Sequence, residues 1–247
     1  MDSLEVWRER VGLEKFILVG HSLGGLLSAS YAMKYPKRVE KLVLVGCAGV
    51  GHPPEDYDDD LVFLKEKYQV KPWTFRSLFI SNAKRIWNSN WTPFSIIRCA
   101  GPWGRNLVTA GVKRRYATAE DMTLEEKETF ANYIYHIVAQ KGSGEFTLRH
   151  LLRPLAYAYD PLMPKLPDMP VPVAFVYGES DWMSPQSGHE AVAKAKEKRR
   201  PYSRHDLSVH VIPNGGHMIF IEQPEAFHRT MMEICAPHMN HKRWKKN

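Results

Sequence analysis

The chain has 247 residues, 44% hydrophobic and 25% charged, the composition of a folded soluble protein long enough for one domain with a sizeable core. No stretch has the length of a membrane span, and Met1-Asp2-Ser3-Leu4-Glu5 lacks the basic-then-apolar pattern of a secretory leader. The net charge of +7 is concentrated in Lys194, Lys196, Lys198, Arg199, Arg200 and Arg204 and in the tail Lys242-Arg243-Trp244-Lys245-Lys246. Such clusters suit nucleic acid, an anionic membrane surface, or simply water.

Residues 2–12 have helical spacing, with Leu4, Trp7, Arg8 and Val11 on the repeat and Gly12 as a stop. Phe16-Ile17-Leu18-Val19 then has the length and composition of a buried strand, predicted over 15–20. Gly20-His21-Ser22-Leu23-Gly24 follows as a G-x-S-x-G turn from strand into helix. The turn needs small residues on either side of the serine, which predicts that Gly20 and Gly24 leave no room for a side chain. The helix runs from about Leu23 to Tyr35, lies close on a sheet through Gly24, Gly25, Ser28 and Ala29, and stops at Pro36. Leu42-Val43-Leu44-Val45-Gly46 is a second buried strand, so the first unit is β-α-β with parallel strands.

From Cys47 to about Pro170 the strand pattern disappears. After a loop at 48–54 and an acidic turn at Asp56 and Asp58-Asp59-Asp60, helices are predicted over 60–68, 72–88, 93–99, 103–110, 123–139 and 145–153. An insertion this long is no simple connection. It is expected to be a helical cap over 51–169, with 1–50 and 170–247 forming the core. Trp73, Phe75, Phe79, Trp87, Trp91, Phe94 and Trp103 are expected mostly to hold the cap together, with some lining an apolar substrate cleft.

Strand pattern returns over 171–178 and 207–212, with a helix at about 185–198 between them and a last helix from about Pro224 to Ile234. Asp181 lies in the loop Gly178-Glu179-Ser180-Asp181 after one strand, and His217 in Gly215-Gly216-His217 after the next. Parallel strands bring these loops and the Ser22 turn to one edge of the sheet. A serine hydroxyl is a poor nucleophile and needs a base, and the base needs an orienting acid. The order Ser22, Asp181, His217 supplies all three, with the Leu23 backbone amide as an oxyanion donor. Glu179 is a rival acid, and His21 is read as structural, turned away by the tight turn. Cys47, Cys99 and Cys235 are odd in number and widely spaced, which suits free thiols. His238 and His241 make a weak metal site at best, and no glycine loop cradles a phosphate. No cofactor, metal or nucleic acid is expected.

These motifs resemble the α/β-hydrolase superfamily. Ala32-Met33-Lys34-Tyr35-Pro36-Lys37-Arg38-Val39, Gly101-Pro102-Trp103-Gly104, Tyr133-Ile134-Tyr135-His136 and Gly216-His217-Met218-Ile219-Phe220-Ile221-Glu222-Gln223-Pro224 resemble its lipid-acting subgroup, related to comparative-gene-identification-58 and a cardiolipin deacylase. The resemblance implies an α/β fold with a mostly parallel sheet, a helical cap after the second visible strand, and an intracellular place in the cytoplasm or at a membrane, mitochondrial or lipid-droplet surface. A complete member carries further strands ahead of the nucleophile strand, with a His-Gly motif supplying a second oxyanion amide. Neither stands in this sequence, which is therefore expected to be an N-terminally truncated form. One oxyanion donor is worth roughly 3–4 kcal/mol of transition-state stabilisation.

The leading expectation is hydrolysis of fatty-acyl esters of phospholipids or lysophospholipids. The alternatives are an acyltransferase that uses acyl-CoA as co-substrate on lysophosphatidic acid, an inactive lipase-interacting or lipid-surface protein, and a small-ester hydrolase or peptidase. The subgroup's transferase signature is histidine, four residues, then aspartate; here Glu222 follows His217 at that offset. Charge is kept and reach is changed, which favours hydrolysis.

Overall fold

The structure is a computed structural model, and it describes residues 1–58, 61–62, 64–65, 69–89, 91–116, 122–198 and 206–238. Four apolar stretches become four strands: β1 (Phe16–His21), β2 (Val39–Val45), β3 (Val173–Gly178) and β4 (Leu207–Ile212). They form one sheet in the order β1-β2-β3-β4, with every neighbouring pair parallel. The central strand β3 is buried at all six positions, as an apolar run covered on both faces should be. β1 lies at the edge, and its Val19 is 46% exposed.

Among the described residues the helices given bounds are, in chain order, α1 (Asp2–Arg10), α2 (Leu23–Lys34), α3 (Phe75–Ser81), α4 (Ala83–Asn88), α5 (Pro93–Cys99), α6 (Gly104–Arg115), α7 (Leu124–Val138), α8 (Leu148–Leu151), α9 (Pro185–Lys198), α10 (Ile219–Glu222) and α11 (Pro224–Cys235). The chain divides into two compact units, residues 1–52 with 156–247, and residues 53–155.

In the first unit the period of two along each strand sorts side chains to opposite faces. Leu42, Leu44, Phe175 and Tyr177 pack with Ala29, Tyr31 and Ala32 of α2 and with Ala191, Val192 and Ala195 of α9. Val43, Val45, Ala174 and Val176 face the other way, onto Ile219, Phe227, Met231 and Ile234. α1 is tied to α2 by polar bonds. The Arg8 guanidinium grips Glu5 at 2.8 and 3.0 Å, and the Tyr31 hydroxyl donates to Glu5 at 2.5 Å.

The second unit is helical. The predicted helix over 72–88 is two helices, because the Asn82 side chain donates to the Leu78 carbonyl at 2.9 Å while its backbone leaves helical geometry. α6 continues to Arg115, beyond the predicted end at 110; the basic residues in its last turn suit the negative helix terminus. The predicted helix over 145–153 is a 3-10 turn at Gly144–Thr147 and the four-residue α8. Capping boxes open α5 at Thr92 and α7 at Thr123. Arg98 donates to the Val138 carbonyl and pairs with Glu145, joining α5, the end of α7 and the turn after it. Trp87 donates to the Leu152 carbonyl. Trp73, Trp91 and Trp103 lie exposed instead of packing inside the unit. Much of the predicted helix over 60–68, Asp59 and Asp60, Arg199, Arg200, Arg204 and the basic tail lie outside the described residues. Among the described residues no helix is long and apolar enough to cross a membrane.

Candidate active site

β1 ends at His21 and α2 begins at Leu23, so Ser22 alone makes the reversal. It adopts φ 55° and ψ −124°, a left-handed backbone that a side-chain-bearing residue takes only when its surroundings enforce it. The Ser22 amide donates to the Val45 carbonyl at 2.9 Å, and the Ser22 carbonyl accepts from Gly25 and Ala48 at 3.0 and 3.1 Å. Those bonds pin the turn to the end of β2.

A Cβ on Gly20 would lie 2.5 Å from both the Gly24 carbonyl oxygen and Ser28 Oγ. A Cβ on Gly25 would lie 2.7 Å from Cys47 Sγ. Gly24, expected to be the second tight position, has nothing within 4 Å of where its Cβ would be. The helix closes on the sheet one residue later than the motif suggests. The turn directs position 24 to open space and position 25 toward the β2 terminus.

Asp181 sits in the loop after β3, where Ser180 donates to the Gly215 carbonyl at 2.9 Å and Glu179 to the Ile212 carbonyl at 3.0 Å. These bonds hold the Asp181 and His217 loops together. Asp181 Oδ1 accepts from the Met183 amide at 2.9 Å and lies 2.9 Å from His217 Nδ1. His217 Nε2 lies 3.0 Å from Ser22 Oγ. A carboxylate can only accept, so His217 carries its proton on Nδ1 and Nε2 is free to accept from the serine. Asp181 and His217 are buried, while Trp182 is exposed with its ring centroid 5.2 Å from that of His217.

The structure thus brings Ser22, Asp181 and His217 together. Glu179 is elsewhere: its carboxylate accepts from the Asn214 amide at 3.1 Å. Leu23 is the first residue of α2, where an amide has no intrahelical acceptor. Sequence reasoning missed Gly46. Its φ is +47°, and a Cβ there would lie 2.6 Å from Asp181 Oδ2 and 3.0 Å from His217 Nδ1. A glycine closing the apolar run of β2 was the available signal. His21, expected to be structural, makes a backbone contact: it faces the His217 turn, with its Nε2 2.9 Å from the His217 carbonyl oxygen. Burial holds the His21 pKa below the usual histidine value, against the bond to the His217 carbonyl, which acts to raise it. All three cysteines are free; Cys47 is buried, and burial pushes its thiol pKa up.

Residues 2–224 match the family model described as alpha/beta hydrolase fold. A probable 1-acylglycerol-3-phosphate O-acyltransferase of Oryza sativa subsp. japonica is 36% identical over 95% of this chain and 53% of its own length. A (lyso)-N-acylphosphatidylethanolamine lipase of Mus musculus is 32% identical over 94% of this chain and 62% of its own length. The chain therefore spans between half and two thirds of the length of these curated relatives. A solved meta-cleavage product hydrolase from Pseudomonas fluorescens superposes with a TM-score of 0.55 at 21% identity, over 96% of this chain and 70% of the other, a likeness of fold alone. The chain belongs to the alpha/beta hydrolase family, close to its lipid-acting hydrolases and acyltransferases.

Proposed function

We propose that the chain moves fatty acyl groups through an acyl-enzyme on Ser22, with the hydroxyl of a lysophospholipid as the acceptor. One observation carries the acyl-enzyme: His217 reaches Ser22 Oγ at 3.0 Å and Asp181 Oδ1 at 2.9 Å with opposite ring nitrogens. Ser22 Oγ attacks the acyl carbonyl while His217 Nε2 takes its proton. The Leu23 amide, at the positive end of α2, stabilises the oxyanion. His217 returns the proton to the leaving group as the tetrahedral intermediate collapses. The acceptor hydroxyl then gives its proton to His217 and attacks the acyl-serine, and that proton restores Ser22.

The choice of acceptor rests on the relatives. The rice protein at 36% identity is named for acyl transfer to 1-acylglycerol 3-phosphate, as is an Arabidopsis thaliana protein at 34%. These similarities favour transfer over the hydrolysis that the Glu222 substitution had suggested. A second reading, hydrolysis of a phospholipid or lysophospholipid ester by water, is supported by the lipase relatives at 32%. Acyl-CoA is the acyl donor of the transfer reading. The helical segment 51–169 serves as the cap that receives the lipid. α6, with Arg105, Lys113, Arg114 and Arg115, no acidic residue, and an exposed Leu107, is suited to peripheral contact with an anionic membrane or lipid-droplet surface.

The test is incubation of the purified chain with acyl-labelled long-chain acyl-CoA and lysophosphatidic acid. Label should appear in phosphatidic acid and vanish in Ser22→Ala. Label found only in free fatty acid would select hydrolysis. A folded chain that gives no Ser22-dependent product from acyl-CoA or from phospholipid would overturn both readings.

A further inference from the structure

His217 must meet Ser22 and Asp181 at once, yet it stands on a turn and not on a strand or helix. Two of the four residues that precede it, Gly215 and Gly216, are glycine, the residue whose backbone is least restricted. Side chains from outside the Ser22–His217–Asp181 set hold this turn: Glu179 and Gln223 bond the Asn214 backbone, and two further side chains hold the backbone groups next to the imidazole. The Gly216 amide donates to a Glu222 carboxylate oxygen, and the His217 carbonyl accepts from His21 Nε2 at 2.9 Å.

We propose that His21 and Glu222 are positioning residues for His217, clamping its turn from the two sides through the His217 carbonyl and the Gly216 amide. The inference rests on the catalytic reading of His217 given above. His21 immediately precedes Ser22, so its bond ties the base to the nucleophile's own backbone. The Ser22–His217 distance is thereby fixed without relying on the bond that must break and reform in each cycle. Glu222 acts from the other direction. It ends α10, and its own amide donates to the Met218 carbonyl at 3.0 Å, so its carboxylate is carried back over the turn by this short helix. The approach is close: a Cβ on Gly216 would lie 2.6 Å from Glu222 Oε2.

The arrangement also assigns His21 a tautomer. A carbonyl only accepts, so His21 carries its proton on Nε2. The His21 and His217 ring centroids are 4.7 Å apart, and the edge of Phe220 closes on His21 at 5.1 Å. A second imidazolium there would oppose the charge that His217 acquires when it takes the serine proton. The neutral, carbonyl-bonded His21 avoids this. Glu222, which stands where the family resemblance places the aspartate of its transferase signature, thus has a backbone duty in this chain.

The test uses His21→Ala and Glu222→Ala beside the conservative His21→Gln and Glu222→Gln, each of which can remake its bond. One readout is the rate constant of fluorophosphonate labelling at Ser22 across pH. The other is the downfield proton resonance of His217 Nδ1–H, which needs no turnover. Misplacement of a catalytic group by about 1 Å costs on the order of 100-fold. The alanine variants should therefore label about 10- to 100-fold more slowly at unchanged thermal midpoint, with the His217 resonance broadened or lost. The glutamine variants should stay within about threefold of the parent. Alanine variants within twofold of the parent, or folded glutamine variants as slow as alanine, would overturn the proposal. If an alanine variant does not fold, its glutamine partner decides by the same criterion. A parent that never labels would end the catalytic reading. The resonance would still decide the clamp, since its persistence in folded alanine variants would refute it.

Discussion

Of the three glycines around Ser22, Gly20 should be the most sensitive to alanine, as the motif suggests, but Gly25 and not Gly24 should be second. Gly20→Ala places a Cβ 2.5 Å from the Gly24 carbonyl oxygen and 2.8 Å from the Gly24 carbonyl carbon. Those are backbone atoms of the first turn of α2, so relief requires the helix to lift from the strand. Overpacking typically costs about 1–3 kcal/mol, and a contact with backbone belongs at or above the upper end. Gly25→Ala meets Cys47 Sγ at 2.7 Å and Cys47 Cβ at 3.0 Å, atoms of a buried side chain that can shift a little. It should cost about 1–2 kcal/mol. Adding Cys47→Ala removes the nearer atom, so the double variant should be more stable than the sum of the singles by about 0.5–1 kcal/mol. Gly24→Ala meets nothing within 4 Å and replaces a flexible residue at a helical position. It should be neutral or stabilising by up to about 1 kcal/mol. Thermal unfolding followed by circular dichroism reads these effects, at about 2–4 °C per kcal/mol for a chain of this size. Fluorophosphonate labelling reads the geometry of the turn in the same samples. A Gly24→Ala variant as damaged as Gly20→Ala would refute the packing of α2 described above.

Asp181→Asn should leave the fold intact and slow labelling of Ser22 by about three to four orders of magnitude, because an amide can hold His217 in the wrong tautomer. A loss smaller than tenfold in a folded variant would remove Asp181 from its assigned role. Glu5 is held at about 2, first by the Arg8 bond and then by the Tyr31 bond, against an ordinary 4.5. A depressed carboxylate stabilises the fold above its unfolded value, and that contribution is lost as pH falls from about 4.5 through about 2. The stability difference between parent and Glu5→Gln should therefore shrink over that window, and a pH-independent difference would contradict the linkage. Burial and the Glu5 bond push Tyr31 up to about 12, so its contribution is present below pH 10 and should fade between about 10 and 12. Alkylation with iodoacetamide of the native chain, read by mass spectrometry, should modify exposed Cys99 and spare buried Cys47 until the chain unfolds. Equal rates at the two thiols would contradict the burial of Cys47.

The sheet was legible in the sequence because its two inner strands are buried on both faces. Leu42-Val43-Leu44-Val45 and Val173-Ala174-Phe175-Val176 are near-continuous apolar runs that few other structures use at that length. The loops that follow the strands are fixed by the strand pattern, and three of them carry Ser22, Asp181 and His217, whose side chains the structure links in the order Ser22–His217–Asp181 at 3.0 and 2.9 Å. The helical unit was harder. Asn82, with a side chain that competes for a helical carbonyl, divides what the apolar spacing reads as one helix, and the basic end of α6 carries no apolar period to mark its extent. Least legible were the residues that act through backbone groups. The bond of His21 to the His217 carbonyl joins positions 196 apart, and no spacing encodes it. Gly46, too, looks like an ordinary strand terminus until the Asp181–His217 pair is seen to fill the space where its Cβ would stand.

That difference has a physical origin. A hydrophobic period is a statistical property of many residues and survives in one sequence. A clearance of one methyl group, or one bond to a backbone carbonyl, is a property of two loops in contact. The approach of the Gly178 Cβ position to within 2.4 Å of Gly215 and Gly216 backbone atoms is the clearest case, since β3 must end in glycine for the Asp181 loop and the His217 turn to lie this close. Catalytic residue types are chosen by chemistry and can be recognised alone. The residues that let them converge are chosen by one another, and they become visible only when the loops are brought together.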